Sequence, residues 1–254
     1  MTTKILAIDA GNTRIKWGLH DGRDWAIRGA VDTANAVGSR AFRDLQAATV
    51  VDQIVASNVA GSSVQAMIVE ELRTFGKPIS FVRAEARQCG VVNGYDNPMQ
   101  LGSDRWAALI GAHTAASIAP RAQLVVMAGT ALTVDALTAD GRFLGGIIVP
   151  GLQLMQRALH RGTAQLPSTT GLHQIFPTNT ANAVTTGTML ASAGAVQRMH
   201  AQFTEHIGDL PYCVGGGGAI DILAPHLSFP ISINDNLVLD GLLVIARTLQ
   251  TLTR

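Results

Sequence analysis

The hydrophobic pattern at the start of the chain predicts a buried strand that runs into a tight turn. Residues 4–10 form a short apolar run that ends in Asp9 and Ala10 and continues into Gly11. Such runs, bounded by turn residues, are typical of buried strands. Residues 14–19 alternate polar and apolar side chains, which is the period of a half-buried strand. The two segments are therefore predicted to pair as a hairpin.

The pattern then alternates between strand and helix periods. Residues 53–56 and 79–82 are predicted as strands, and residues 62–75 and 101–119 as helices with apolar side chains repeated on one face. Pro120 follows the second helix and marks its predicted end.

The same order begins again after Pro120. Residues 124–131 form an apolar strand that runs into a Gly-Thr turn, and strands are predicted at 132–137, 141–148 and 211–214. Residues 8–11 match residues 126–129 at an offset of 118 (129 minus 11), close to half the chain. An internal duplication explains the match in offset and in element order. Further helices are predicted from about 219 and over about 236–252.

Two copies of a strand-turn-strand unit indicate an α/β protein with two domains facing a central cleft. We predict an N-terminal half at 1–118 and a C-terminal half at 119–254, with the boundary near 118–122 and the last helix able to pack back across it. Ligands of such sheets bind where loops leave the strand ends.

Composition narrows the classes of function. Hydrophobic residues make up 47% of the chain and charged residues 15%, which favours a large buried core over disorder. The net charge of +1 and the lack of Lys/Arg runs argue against nucleic acid or an anionic membrane as a partner. Asp9 interrupts the first apolar run too early for a signal peptide, and two cysteines without metal-ligand spacing fit reduced thiols. We therefore expect a cytoplasmic protein without a transmembrane segment.

Several common catalytic motifs are absent. The single Gly-Lys pair, Gly76-Lys77, precedes Pro78 and has Glu71 where a Walker A loop needs its first glycine. The sequence contains no G-x-G-x-x-G after a strand, no H-E-x-x-H and no G-x-S-x-G. Its glycine-containing turns need another explanation.

The turn after the first strand contains the groups that bind a nucleoside triphosphate. Gly11 allows backbone amides to approach phosphate, Asn12 and Thr13 can donate hydrogen bonds, and Lys16 can reach phosphate from the next strand. Asp9 can hold hydrated Mg²⁺, which binds through one or two carboxylates and substrate phosphates. The structural alternative is an ordinary hairpin turn with Asx hydrogen bonds. The second copy of the turn in the other half favours the functional interpretation.

The sequence resembles the type III pantothenate kinases, a family of the acetate and sugar kinase/heat-shock 70/actin superfamily. Seven motifs in order carry the resemblance along nearly the whole chain: 9–13 with Gly18, Tyr95 ahead of 101–105, 129–131, 145–151, 179–180, 215–218 and 236–242. The resemblance implies a fold of duplicated actin-like (ribonuclease H-like) ATPase domains. It also implies ATP-dependent phosphorylation of pantothenate to 4'-phosphopantothenate, the first step of coenzyme A biosynthesis, by a Mg²⁺-dependent homodimer.

The resemblance also implies a role for particular residues. Asp104 becomes the catalytic base. The residues assigned to ATP are Asp9, Ala10, Gly11, Asn12, Thr13, Arg14, Ile15, Lys16 and Thr130, with Asp9 as metal ligand. Those assigned to pantothenate are Tyr95, Gly102, Ser103, Asp104, Arg105 and Thr180, and Thr180 is expected to reach the neighbouring subunit's site.

The position of Asp104 agrees with that role. Ser103 and Asp104 stand where a helix is predicted to start, and a helix N-terminus stabilises a carboxylate as the anion. The alternative is that Asp104 only caps the helix and that Arg105 is a surface cation. The surrounding motifs favour the functional interpretation.

Three positions are open to more than one interpretation. Many family members have Asp two residues before the second Gly-Thr pair, where it is implicated in binding a monovalent cation, and this chain has Met127. Because a thioether is a poor ligand for a hard cation, we expect no K⁺ or NH₄⁺ requirement, or an ion bound differently. Asp135 keeps an acidic group in the second half, and its role is open, with a structural role as one interpretation. The run 215–218 either lets a backbone approach adenine or ribose, or forms a flexible turn.

Two other functions compete with pantothenate phosphorylation. One is another kinase, or a polyphosphate or nucleotide phosphatase, of the same superfamily, since the D-x-G-N-T turn is widely shared. The other is an accessory protein that binds nucleotide without turnover. Asp9, Asp104 and Thr130 are all present, and this argues against the accessory protein.

Overall fold

The computed structural model describes residues 3–36, 42, 45, 50–116, 119–163, 166 and 171–252. Its contacts divide the chain into two units. The first is made of Met1–Ala119, Gly141–Phe143 and Asn236–Arg254, and the second of Pro120–Asp140 and Leu144–Asp235. The C-terminal segment therefore groups with the first unit.

Strands and helices alternate along much of the chain. The strands are β1 Ile5–Ala10, β2 Arg14–His20, β3 Trp25–Asp32, β4 Gln53–Asn58, β5 Ile79–Phe81, β6 Arg87–Gln88, β7 Val91–Asn93, β8 Gln123–Ala128, β9 Ala131–Leu137, β10 Arg142–Pro150, β11 Tyr212–Gly216 and β12 Ser232–Ile233. The α-helices are α1 Thr33–Ala36, α2 Ser62–Leu72, α3 Ser103–Ala115, α4 Leu152–Gly162, α5 Thr180–Ile207, α6 Ile220–Leu223 and α7 Leu237–Leu252. Short 3₁₀ turns lie at Arg73–Phe75, Pro98–Gln100 and Ala224–His226.

The sheet of the first unit has the strand order β3-β2-β1-β4-β5. β1 pairs antiparallel with β2 and parallel with β4. Five of the six residues of β1 are buried, which explains its almost uninterrupted apolar sequence. β1 and β2 confirm the hairpin predicted from the sequence, and Asp9 stands one residue before the end of β1.

Two helices of the first unit cross at glycines. A Cβ on Gly241 of α7 would lie 1.8 Å from the carbonyl oxygen of Ala107 in α3. A Cβ on Gly111 of α3 would lie 2.4 Å from the carbonyl oxygen of Leu237. Only glycine allows the two backbones to approach so closely. This crossing fixes α3, the helix that begins at Ser103.

The second unit repeats the sheet of the first. The other sheet has seven strands in the order β12-β11-β8-β9-β10-β7-β6, and its first five repeat the order of the five-stranded sheet. Among them, β8 is antiparallel to β9 and parallel to β11, as β1 is to β2 and β4. β8 has six residues and β9 seven, the same lengths as β1 and β2. This repetition confirms the duplication predicted from the 118-residue offset.

The structure corrects two predicted boundaries. The helix predicted over 101–119 begins only at Ser103, because Leu101 is extended and Gly102 is the N-cap, and it ends at Ala115. The predicted end also includes 117 and 118, which lie outside the described residues. In the glycine run, Gly215 and Gly216 continue β11 beyond its predicted end at 214, and Gly217 and Gly218 form the bend and turn that follow it. A Cβ on Gly216 would lie 2.6 Å from the carbonyl oxygen of Asn234, so the glycines permit close backbone packing.

Two general expectations concern the membrane and the thiols. Among the helices of the described residues, none has both the length and the hydrophobicity of a membrane span. Cys89 is a half-buried free thiol and Cys213 a buried one.

Candidate active site

The turn between β1 and β2 has a fixed main chain and exposed polar side chains. The Gly11 amide donates a hydrogen bond to the carbonyl oxygen of Arg14 (3.0 Å), and the Thr33 hydroxyl donates one to the carbonyl oxygen of Gly11 (2.7 Å). Asn12, Thr13 and Arg14 are exposed. The turn therefore presents amide, hydroxyl and guanidinium donors on a rigid backbone.

Not every residue assigned to ATP presents its side chain. The side chains of Ala10 and Ile15 are fully buried in the core of the first unit. Only the main chain at these two positions can contribute to a ligand site. Lys16 is half-buried and pairs with Asp9 in the antiparallel register of the hairpin.

Asp9 is held where its charge is unfavourable. It is half-buried at the end of β1, and burial, with the negative charge of Asp104, raises its pKa from 3.8 to about 7. Lys16 lowers the same pKa, but by less than the other two effects raise it. The structure therefore brings Asp9, Lys16 and Asp104 into one electrostatic group. A carboxylate that ionises with difficulty by itself is suited to a cation as an additional partner.

Asp104 lies in the first turn of α3, as the sequence predicted. The N-cap, Gly102, offers no side chain to the helix, and the Asp104 Oδ1 accepts a hydrogen bond from the Arg105 amide (2.8 Å). A Cβ on Gly102 would lie 2.7 Å from that same Oδ1. Gly102 therefore leaves the space that the Asp104 carboxylate occupies.

Arg105 is a buried cation beside two aromatic rings. It is 6% exposed, and its Nη1 donates a hydrogen bond to the Tyr95 hydroxyl (2.9 Å). Its guanidinium carbon lies 5.7 Å from the centre of the Tyr95 ring and 6.0 Å from that of Phe143. The alternative interpretation of Arg105 as a surface cation is wrong, because the helix turns this side chain inward. A guanidinium held in this way is suited to bind a carboxylate or phosphate group.

The second unit contains the counterpart of the β1–β2 turn. The Gly129 amide donates a hydrogen bond to the carbonyl oxygen of Ala131 (3.0 Å), and the carbonyl oxygen of half-buried Thr130 accepts one from the Gly151 amide (2.9 Å). Gly217 adopts φ 98°, and a Cβ there would lie 2.5 Å from the carbonyl oxygen of Ala128. The two later glycine motifs thus pack against this turn and fix its backbone.

Thr180 lies elsewhere in the second unit, as the exposed first residue of α5. The preceding residue, Asn179, caps the helix and accepts a hydrogen bond from the Asn182 amide (3.0 Å). Thr180 lines an apolar groove of about 1080 Å³ between α4 and α5, together with residues such as Met155 and Leu159.

The positions Met127 and Asp135 are both on strands of the second unit. Met127 is half-buried on β8, and Asp135 is 1% exposed on β9. A Cβ on Gly146 would lie 2.1 Å from the Asp135 Oδ1, so Gly146 makes room for this carboxylate. Within the described residues, no group of three or more His, Cys, Asp or Glu side chains could enclose a metal ion.

One polar pair near the site was missed from the sequence. The Oγ of Ser57, on β4, lies 2.8 Å from the Oγ of Ser103, and both serines are buried. The signal for it was the polar pair Ser57-Asn58 directly after the apolar run 53–56, the same pattern that singled out Asp9.

The chain is similar to proteins of one family along most of its length. The sequence model of the family described as type III pantothenate kinase matches residues 5–202. The type III pantothenate kinase of Nitrosospira multiformis is 45% identical over 248 residues, covering 97% of this chain and 92% of that protein. The type III pantothenate kinase of Aromatoleum aromaticum is 48% identical over 246 residues, covering 96% and 98%.

A solved structure places the fold. MreB 5 of Spiroplasma citri, in a crystal structure bound to AMPPNP, matches with a TM-score of 0.51 at 8% identity, covering 100% of this chain and 98% of that one. The strand order that the five-stranded sheet shares with five strands of the seven-stranded sheet, together with this likeness, shows the duplicated α/β fold of the actin-like ATPases, as predicted.

Proposed function

We propose that this chain, which belongs to the type III pantothenate kinase family, phosphorylates pantothenate with Asp104 as the base and with the Asp9 turn at the ATP phosphates. The reaction of the family is the ATP-dependent phosphorylation of pantothenate in coenzyme A biosynthesis. Family membership decides against the other kinases and phosphatases of the superfamily. The assignment of residues is our own inference.

One observation carries this assignment. Asp104 and Asp9 come from distant positions in the sequence, yet the Asp104 charge raises the pKa of Asp9, which supports a site that contains both carboxylates. Two carboxylates with different surroundings are suited to different tasks in one reaction. Asp9, opposite Lys16, faces the nucleotide side, and Asp104, beside Arg105, faces the acceptor alcohol.

The chain's own residues carry the acceptor half of the reaction. The Asp104 carboxylate takes the proton of pantothenate's primary hydroxyl as that oxygen bonds to the γ-phosphorus of ATP. The bond between the γ-phosphorus and the oxygen that bridges it to the β-phosphorus breaks in the same step, and ADP leaves with the electron pair. Arg105, oriented by its hydrogen bond to Tyr95, binds the carboxylate of pantothenate. Gly102 and Ser103 shape the pocket beside it, and Thr180 of the partner subunit completes it. Since phosphoryl transfer depends mainly on positioning and charge, the rigid β1–β2 turn contributes as much as the base.

The donor set fits Mg²⁺. Asp9 offers a hard oxygen ligand whose raised pKa a divalent cation would lower, and Mg²⁺ typically needs only one or two protein carboxylates beside water and phosphate oxygens. Bound Mg²⁺ neutralises charge on the ATP phosphates. The residues from Asp9 to Lys16 and Thr130 bind the phosphates with amide, hydroxyl and ammonium donors.

The protein does not need K⁺ or NH₄⁺ bound at position 127. Met127 offers only a thioether, which is a poor ligand for a hard cation, and it lies half-buried on β8. We expect turnover in Na⁺ or Tris buffers within about twofold of that in K⁺ or NH₄⁺ buffers. All of these buffers are compared at about 100 mM, so that surface charges are screened to the same extent. A many-fold activation by K⁺ over Na⁺ would contradict this expectation.

The proposal extends to the cellular location of the protein, its oligomeric state and its two sequence halves. We propose that it works in the cytoplasm as a homodimer in which Thr180 reaches the pantothenate site of the neighbouring subunit. We propose also that 1–118 and 119–254 are the two sequence copies of one ancestral actin-like half.

Coupled measurement of ADP formation tests the function. Purified protein with Mg²⁺ and ATP should form ADP only slowly, and adding pantothenate should raise the rate by about 100-fold or more, since the base acts only with a bound alcohol. ATP binding without pantothenate-dependent turnover would instead support the accessory protein.

A further inference from the structure

A buried pair of hydroxyl groups links the strand beside Asp9 to the helix that carries Asp104. Ser57 is the partner of Asp9 in the parallel register of β1 and β4, and its Oγ lies 2.8 Å from the Oγ of Ser103. Ser103 directly precedes Asp104 at the start of α3. This hydrogen bond therefore connects Ser57, the neighbour of Asp9 in the sheet, with Ser103, the neighbour of Asp104 in the chain.

The start of α3 depends on this hydrogen bond more than the rest of the helix does. Further along, α7 holds α3 through the close contacts at Gly111 and Gly241. The first turn has no such support from its N-cap, since Gly102 provides no side-chain hydrogen bond. Ser103 is the first residue of that turn, and its hydroxyl reaches across to the sheet. The contact fixes the turn at the point where the Asp104 side chain leaves the helix.

A purely structural role explains the pair less well. Ser57 is fully buried and Ser103 is 9% exposed. Burying hydroxyl groups is costly unless they bond to each other, and a pair of alanines fills nearly the same space without that cost. The pair also stands beside both carboxylates of the site. Position and chemistry together suggest that the hydrogen bond matters for geometry.

We propose that Ser57 is a positioning residue for phosphoryl transfer, acting through Ser103 to hold the Asp104 carboxylate at a fixed place relative to the Asp9 turn. The inference rests on the proposed function, in which Asp104 is the base. Ser57 itself touches neither substrate. Loss of its hydroxyl lets the first turn of α3 move, and small displacements of a catalytic group are enough to slow a reaction severely.

The Ser57→Ala variant tests this role. We expect kcat to fall about 10-fold while the KM values for ATP and pantothenate stay within about twofold, because the base acts in the transition state and not in ground-state binding. Ser192→Ala is the matched control. Ser192 is 1% exposed on α5, and its hydroxyl has no hydrogen-bond partner among the described residues, so this variant should keep the wild-type kcat. Ser57→Cys keeps the volume with a weaker donor, and its kcat should fall as well.

The double variant separates a pairwise effect from two independent ones. If the hydrogen bond is what matters, kcat of Ser57→Ala/Ser103→Ala equals that of Ser103→Ala alone within about twofold. A further 10-fold loss in the double variant would overturn the proposal. So would a Ser57→Ala enzyme with lowered Tm and wild-type kcat, since that result assigns the pair to stability alone. A wild-type protein without pantothenate-dependent turnover would refute the proposed function first, and is recognised before any variant is compared.

Discussion

At the scale of single residues, the site is defined by two carboxylates that differ in their surroundings. Asp9 is half-buried at a strand end opposite Lys16, and Asp104 stands in the first turn of a helix beside a buried arginine. Asp9 has its pKa raised to about 7, first by burial and then by Asp104. Replacing Asp104 is therefore predicted to change catalysis, and replacing Asp9 is predicted to change the pH dependence of stability as well.

Replacing Asp104 tests the catalytic assignment. Asp104→Asn keeps the shape of the side chain but cannot accept a proton, and we expect kcat to fall at least about 100-fold with the KM for ATP nearly unchanged. Steady-state kinetics with pantothenate measures both constants. Asp221→Asn, which changes an exposed aspartate in the first turn of α6, is the control and should have wild-type kinetics. Near-normal turnover of Asp104→Asn would remove Asp104 from the mechanism.

Replacing Asp9 tests the electrostatics of the ligand-free protein. The folded protein holds the Asp9 proton up to a pKa of about 7, whereas the unfolded chain releases it near 3.8. The free energy of unfolding therefore falls as pH rises from about 4 to about 7 and stays low above. Asp9→Asn lacks this ionisation, so it should be more stable than the wild type.

Urea unfolding without Mg²⁺ or nucleotide measures this effect. The stability advantage of Asp9→Asn should be about 1–3 kcal/mol larger at pH 8 than at pH 5, since each pKa unit corresponds to about 1.4 kcal/mol. The variant should at the same time lose activity, because it lacks the carboxylate that we propose as the metal ligand. An advantage of equal size at both pH values would show that Asp9 is not the titrating group.

At the scale of elements, the site depends on how α3 is held. α7 crosses α3 so closely that a Cβ on Gly241 would lie 1.8 Å from a backbone oxygen. The end of the chain, which contributes no side chain assigned to the reaction, thereby supports the helix that carries Asp104. This accounts for the glycine of the last sequence motif in terms of packing.

Gly241→Ala should destabilise the protein by about 1–3 kcal/mol, since the overlap with the Ala107 carbonyl exceeds the gain in helix propensity. Gly194→Ala makes the same change in the middle of α5 at an exposed position, where a Cβ meets nothing within 4 Å. It should stabilise by about 0.5–1 kcal/mol. Chemical unfolding of both variants measures whether the free energy of unfolding falls in Gly241→Ala and rises in Gly194→Ala. Shifts in the same direction would contradict the packing role of Gly241.

The elements with strong local patterns were predictable from sequence. β1, β2 and the start of α3 follow from apolar runs and from Ser103-Asp104 at a helix start. α5 was not predicted, because its 28 residues mix alanine, threonine and glycine around the whole helix and leave no clear apolar stripe. β3 was missed because most of its residues are exposed or half-buried and no alternation marks it.

The candidate site was predictable in its residues but not in its contacts. The family resemblance pointed to Asp9 and Asp104, and nothing in their spacing shows that one charge acts on the other. Arg105 was interpretable as a surface cation, since the pattern of a single S-D-R triplet does not reveal which way the side chain turns. Ser57 was missed because its partner, Ser103, is 46 positions away in the sequence.

At the scale of the whole molecule, the two units carry different residues of the proposed site. The first unit carries Asp9, Asp104 and Arg105, whereas the second carries Thr130, Thr180 and Met127. A duplicated fold of this kind is shared by proteins with many activities, so fold alone does not assign the reaction. Family membership assigns it.

Identification of the reaction product tests the central claim most directly. Purified protein is incubated with Mg²⁺, ATP and pantothenate, and the products are separated and identified by mass spectrometry. The Asp104→Asn variant is treated in the same way. We predict one phosphorylated pantothenate for each ATP consumed by the wild type, and at least about 100-fold less from the variant. ATP consumed with release of inorganic phosphate and without phosphorylated pantothenate would contradict the account.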